Sequence, residues 1–245
     1  MLINPYSYAA AGPVDPSFNN VSLLLHFDGA NGSGTITDSS PRPKTITRTG
    51  LTPRTLTTTP APKFGTASLN NTTGNGPITA PNGTDFNFAS GDWTVEGWAY
   101  FATFGLNGTF ITMGGNASGF WAPLQVQFIN NSNLRCYMSS NGSSYDIVPG
   151  YGMNLDTSSG LNTWHHWHVT RLGNNIYMGA RGGLGNTVAY SGSLPSPVTP
   201  IIIGGNYVDD PSGGWGYLDE IRITKGVARY GAGAYTVPTL PFPNS

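Results

Sequence analysis

Apolar and polar positions alternate most clearly along residues 93–101. Trp93, Val95, Gly97, Ala99 and Phe101 fall on one face of an extended strand; Thr94, Glu96, Trp98 and Tyr100 fall on the other. A period of two with aromatics on both faces means sheet. The apolar run 21–27, ended by Asp28-Gly29, is a second strand. Further strands are predicted at 108–113, 124–129, 134–138, 145–148, 164–171, 175–180, 186–190, 200–203 and 217–224. Brief pieces are expected at 35–37, 45–47, 67–70 and 77–80. Asn-Gly and Gly-Gly steps between them supply the positive φ that tight turns need. No helix of two turns is convincing, and residues 226–230 allow a single short turn at most. Many short strands without intervening helices imply an all-β, antiparallel two-sheet sandwich or a barrel. Trp93, Val95, Phe101, Trp167, Val169, Ile221 and Ile223 are expected between the sheets. Residues 1–20, punctuated by proline and without periodicity, read as an N-terminal arm that contacts another chain. Residues 21–230 read as the sandwich and 231–245 as a C-terminal extension.

Composition changes this picture little but excludes much. With 34 Gly and 19 Pro among 245 residues the chain is loop-rich, yet it has no collagen period. Its 29 aromatic residues are enough for a substantial core. Only 11 basic residues stand against 12 acidic ones, so no basic face is available for nucleic acid. Arg42, Lys44, Arg48, Arg54 and Lys63 are scattered through Thr and Pro and read as solvated loops. No apolar stretch approaches the length of a membrane span. Cys136 is the single cysteine, which excludes an internal disulfide and a thiol-rich zinc site; it reads as a buried strand thiol. The N-terminus lacks the basic and apolar regions of a signal peptide.

Five segments, in order, resemble the laminin G-like, concanavalin A-like jelly-roll superfamily. They are Leu23-Leu24-Leu25-His26-Phe27-Asp28-Gly29, Lys63-Phe64-Gly65-Thr66-Ala67-Ser68-Leu69 and Gly91-Asp92-Trp93-Thr94-Val95-Glu96-Gly97-Trp98. Trp164-His165-His166-Trp167-His168-Val169-Thr170-Arg171 follows, and the last runs from Gly216 to Tyr230. The resemblance implies a jelly roll over roughly residues 21–230. The Thr-Lys-Gly-Val-Ala-Arg-Tyr ending (224–230) is similar to versions of this domain in tailed-phage structural proteins. It implies a virion-surface location, with self-association and a major capsid protein or other virion proteins as partners. The chain departs from the family at Ala180-Arg181-Gly182-Gly183, where a Val-Asp-Gly-like turn is usual. It departs again at Trp167 and His168, where small or aliphatic residues are usual. Either change could reshape a ligand groove or reflect burial against a neighbouring chain.

Glycoside hydrolysis needs two carboxylates flanking one bond. Hydrolases of the resembled superfamily present a Glu-x-Asp-x-(x)-Glu strand; here Glu occurs only at Glu96 and Glu220, with no such triplet. An enzyme is therefore not expected. His166 and His168 share a strand face while His165 points away, which reads as polar sheet residues or, less simply, as part of a metal site. No cofactor is expected, with calcium as the alternative: Asp28 and Asp219, helped by Asp38, Asp209 or Asp210, offer hard oxygen ligands. The competing reading is that Asp28 caps its turn and Asp219 accepts backbone N–H groups. Trp98, Tyr100, Trp121 and Trp215 are candidate contacts for a glycan or a protein partner, with Tyr207 and Tyr217 beside them. The leading expectation is a non-enzymatic phage structural protein, capsid decoration before tail, without nucleic-acid or membrane contacts. The alternative is a lectin-like module recognising host or environmental glycans.

Overall fold

The computed structural model describes residues 14–73, 76–103, 108–115, 121–129, 133–154, 160–205 and 215–245. The alternating segment becomes β6, Trp93–Phe101, the middle of a sheet. Before it come β1 (Val21–Leu25), β2 (Thr47–Arg48), β3 (Leu56–Thr57), β4 (Ser68–Asn70) and β5 (Ile78–Ala80). After it come β7 (Gly108–Thr112), β8 (Gln125–Ile129), β9 (Asn133–Met138), β10 (Val148–Asn154) and β11 (Trp164–Leu172). The last are β12 (Asn175–Ala180), β13 (Gly183–Ala189), β14 (Ile201–Ile203) and β15 (Gly216–Lys225). The helices among the described residues are two single 3₁₀ turns, Phe18–Asn20 and Thr84–Phe86, and neither is long and apolar enough to cross a membrane.

One sheet has the order β13-β12-β11-β6-β15-β4-β3, with β1 also on β15; the other runs β10-β9-β8-β7-β14-β5-β2. β4 and β1 share one edge of β15. Tyr217 and Leu218 pair with β4, and Ile221 to Thr224 pair with β1. A bulge between these halves sits at Glu220, whose φ is 52°. The inner faces meet through aromatics, Phe101 against Phe128 at 4.4 Å and Phe110 against Trp167 at 5.2 Å. All seven core residues expected from the sequence are buried there. Gly97 makes room: a Cβ on it would stand 2.5 Å from Ile221 Cδ1 and 3.3 Å from the Trp167 ring. The all-β, two-sheet antiparallel jelly roll is the fold of this chain.

The outer face of the first sheet is covered by the chain itself. After β15, residues 226–245 cross it from the β12–β13 turn back to β1. Tyr235 N–H donates to Gly182 O (2.9 Å), and Arg229 N–H donates to Thr94 Oγ1 (2.9 Å). Phe242 packs with Val21, Leu24 and Phe18, and Asp15 N–H donates to the O of Ser245 (2.7 Å). The described part of the arm expected to grip a neighbour, from residue 14, thus packs on its own sandwich; residues 1–13 lie outside the described residues. Trp167 and His168 are likewise packed within the chain, one in the core and the other stacked on Tyr230 at 4.2 Å.

Candidate functional site

Trp121 stands at one end of the second sheet, four residues before the interior strand β8. The backbone beside it is fixed on both sides: Met113 N–H donates to Leu124 O (2.8 Å) and Ser139 N–H to Ala122 O (3.1 Å). Ala122 and Leu124 are buried, while Trp121 is 37% exposed and has a φ of 55°. A bulky residue rarely takes that conformation. Its indole packs edge-to-face with Tyr145 at 5.0 Å, and Tyr145 packs on Tyr137 at 5.1 Å. The Tyr145 hydroxyl donates to Gln125 Oε1 (3.0 Å), and burial pushes its pKa up to about 12.

A recess of about 300 Å³ opens beside Trp121, lined also by Pro123, Ser140, Asn141, Ser196 and Val198. Its polar wall is ordered before any ligand arrives. Asn141 Oδ1 accepts the N–H groups of Ser143 (2.8 Å) and Ser144 (3.0 Å), and Asp146 accepts that of Ser140 (2.9 Å). Desolvation works against the Asp146 carboxylate, but its Ser140 hydrogen bonds hold its pKa below the usual range.

The other aromatic candidates are placed differently. Trp98 is 3% exposed, edge-on to Phe64 at 5.7 Å and beneath Lys63 Nζ at 4.2 Å. Trp215 is fully buried against Phe110 and Phe101. Neither offers an open ring. Tyr100 is half-buried in a row with Trp164 (5.5 Å) and Tyr217 (5.6 Å), the three residues facing each other on adjacent strands. Interplanar angles of 63° and 74° make this row a packed cluster rather than a flat platform. Tyr207 lies outside the described residues.

The polar groups of the first sheet's outer face form a buried network that sequence reading did not find. Glu96 Oε1 accepts from Arg222 (Nη2, 2.8 Å), and Oε2 accepts the Tyr230 hydroxyl (2.6 Å) and meets His166 Nε2 (3.3 Å). Desolvation opposes ionisation of Glu96, but the Arg222 charge and the His166 and Tyr230 hydrogen bonds hold its pKa far below the usual range. Asp15 closes the network on Arg222 (3.2 Å) and Arg229 (2.6 Å). Glu220 Oε1 meets His26 Nδ1 (2.7 Å), and Oε2 accepts the N–H of Phe242 (2.9 Å). These partners are up to 214 positions apart, which leaves no local signal. His165 meets Gly160 O at 2.9 Å, and burial lowers its pKa.

Asp28 Oδ1 accepts Thr66 N–H (2.5 Å). Asp219 Oδ2 accepts the N–H groups of Lys63 (2.8 Å) and Phe64 (3.1 Å), and burial raises its pKa well above the usual range. Both carboxylates thus brace residues 63–66. Asp38 accepts Leu24 N–H (3.0 Å) and Ser40 N–H (3.0 Å); Asp209 and Asp210 lie outside the described residues. Among the described residues no group of three or more His, Cys, Asp or Glu is placed to hold a metal ion. Cys136 is buried, and burial raises its thiol pKa, so it is no nucleophile.

Comparison with known proteins adds the family. The family model of the concanavalin A-like lectin/glucanases superfamily, laminin G type, matches residues 72–228. No curated protein matches the sequence. Among solved structures, the binding domain of Paraclostridial Mosquitocidal Protein 1 is similar with a TM-score of 0.63 at 15% identity, over 85% of this chain and 49% of that one. The binding domain of botulinum neurotoxin DC in complex with rat synaptotagmin II is similar with a TM-score of 0.60 at 13% identity, over 93% of this chain and 50% of that one. The same domain in complex with SialylT gives 0.59 at 13% identity over the same shares. The chain thus spans about half the length of these structures.

These neighbours are binding domains of toxins, and they overturn the tailed-phage expectation. The phage structural role, the virion surface, and the virion, capsid and self-association partners are withdrawn with it; the glycan-binding alternative agrees better with the comparisons. The 224–230 ending misled for a physical reason. Gly226 N–H donates to Asp92 O (2.7 Å), Arg229 holds Asp15, and Tyr230 holds Glu96. The motif secures the crossing segment over the sheet, so it reports the fold and not a location. Fold likeness of this kind is shared with non-catalytic binding domains, and fold alone assigns no chemistry. With two packed antiparallel sheets and a family match over residues 72–228, the chain belongs to the concanavalin A-like lectin/glucanases superfamily.

Proposed function

We propose that this chain is a non-enzymatic carbohydrate-binding module whose sugar contact is the Trp121 recess. The observation that carries this reading is an indole 37% exposed, held at positive φ by flanking hydrogen bonds and braced by Tyr145 beside a polar wall. A ring held open in this way gives apolar contact to the C–H face of a pyranose, while Asn141 and the serines suit its hydroxyls. Ordering these groups beforehand lowers the entropic cost of binding. The family's lectin members and the neighbours solved in complex with rat synaptotagmin II and with SialylT support a binding role. Against catalysis, each oxygen of Glu96 and Glu220 already has a partner within the chain, and neither residue lines the recess. The reading needs no metal, and Trp98 and Trp215 have no part in it. As a division of the chain we propose an arm to residue 20, a sandwich over 21–230, and an extension, 231–245, that folds back on it.

The test is a glycan array followed by titration with Trp121→Ala. Losing a central aromatic anchor costs about 1.5–3 kcal/mol, a tenfold or greater loss of affinity, with thermal stability nearly unchanged. Binding unaffected by Trp121→Ala would remove the recess from the proposal. Turnover of an oligosaccharide by the purified chain would show it to be an enzyme instead.

A further inference from the structure

The charge distribution around the recess narrows the class of sugar, an inference that rests on reading the recess as the sugar site. Among the described residues, none that lines it is charged. Among the described residues, the charge tied to its wall is negative: Asp146 is exposed and accepts the Ser140 N–H at 2.9 Å. Cations are placed elsewhere in the fold. Arg42 and Lys44 pair with Asp85, Lys63 lies over Trp98, and Arg222 and Arg229 hold Asp15 and Glu96. Arg54 donates to Gly204 O, Arg48 to Arg54 O, Arg171 to Gly192 O, and Lys225 to Thr84 O. Arg181 is in the β12–β13 turn, and Arg135 stands on β9 two positions from Tyr137; neither lines the recess. Nor can a basic side chain come from the residues outside those described. They contain no Lys, Arg or His, and their charged side chains are Asp156, Asp209 and Asp210.

A sialic acid, uronic acid or sulfated sugar brings a full negative charge that has to be solvated or paired at the site. Here it would lose water, meet no cation and stand near Asp146. A neutral pyranose needs only the indole contact and uncharged hydrogen-bonding groups, which is what the recess contains. We infer that the Trp121 recess takes uncharged pyranose units and rejects their sialylated, sulfated and uronic counterparts.

The experiment is calorimetric titration of the full chain and of Trp121→Ala. The neutral probes are lactose, N-acetyllactosamine, mannotriose and cellotetraose; the anionic ones are sialyllactose, digalacturonate and a heparin disaccharide. The expected result is that a neutral probe binds with an affinity that changes less than about twofold between roughly 50 and 500 mM salt, since no ion pair is screened. Anionic probes bind at least about tenfold more weakly. Trp121→Ala weakens the neutral probe about tenfold or more. Equal or tighter binding of an anionic probe, lost in Trp121→Ala, would overturn the inference while leaving the recess a sugar site. Binding of no probe, or binding indifferent to Trp121→Ala, would instead overturn the reading of the recess, and this inference with it.

Discussion

His168 shows how a single side chain couples this fold to pH. It stacks on Tyr230 at 4.2 Å, and burial, with His166 adding to it, lowers its pKa to about 3. The unfolded chain takes up a proton near pH 6.5 that the folded chain refuses, so stability falls as pH drops from about 6.5 toward 3, by up to about 1.4 kcal/mol per unit. His26 works in the other direction. Desolvation opposes protonation there, but Glu220 outweighs it and the pKa is raised. Its contribution is complete below about pH 6.5 and fades as pH rises through the folded value. We predict that His168→Gln flattens the fall in melting temperature between about pH 6.5 and 4, whereas His26→Gln leaves that limb in place. Below about pH 4 a second loss is expected, because Glu96 and Asp15 have lowered pKa values and stabilise only while ionised. A melting temperature that stays constant from pH 7 to 3 would contradict the assignments of His168, Glu96 and Asp15.

At the scale of elements, the segment after β15 behaves as a third layer on the first sheet. Phe242 is 4% exposed, and the Arg222 guanidinium lies 3.9 Å from its ring centroid. Phe242→Ala is expected to cost roughly 3 kcal/mol from lost transfer energy and the cavity left behind, measured by denaturant unfolding. Arg222→Ala removes a partner of both buried carboxylates and is expected to cost about 3–5 kcal/mol, because breaking a buried pair strands its remaining charge. Deleting 231–245 should raise binding of an apolar dye and speed hydrogen exchange in β1 and β15, whose outer faces it covers. Unchanged exchange in those strands would mean that the segment only rests on the sheet.

For the whole molecule, the division of labour among tryptophans is the sharpest test. Trp167→Ala and Trp215→Ala, both in the core, are expected to cost about 3–5 kcal/mol in unfolding, and Trp121→Ala far less. The fold was legible because its signals are local. Alternation along 93–101 and 164–171 and the turn residues between short strands specify two-faced strands, and with no helices these stack as a sandwich. Some strands escaped for equally local reasons. β3 is two residues, Leu56 and Thr57, too short for a period, and β10 carries Pro149, Gly150 and Gly152, which break the pattern although β9 pairs with it. Residues 35–37 have β-like composition but find no partner strand. The candidate site was legible only as a set of aromatics. Trp98, Trp121 and Trp215 look alike in sequence, and which of them meets solvent depends on what the distant chain lays over each. Sequence alone determined the sheet faces, the shortage of catalytic carboxylates and the near-neutral charge, since these follow from residue type and nearest spacing. Tertiary structure alone decided that Glu96, His166, Arg222 and Asp15 are buried together, that Trp98 lies beneath Lys63 and that Trp121 stays open. Burial is a property of pairs of surfaces, and these surfaces come from segments that only folding brings together.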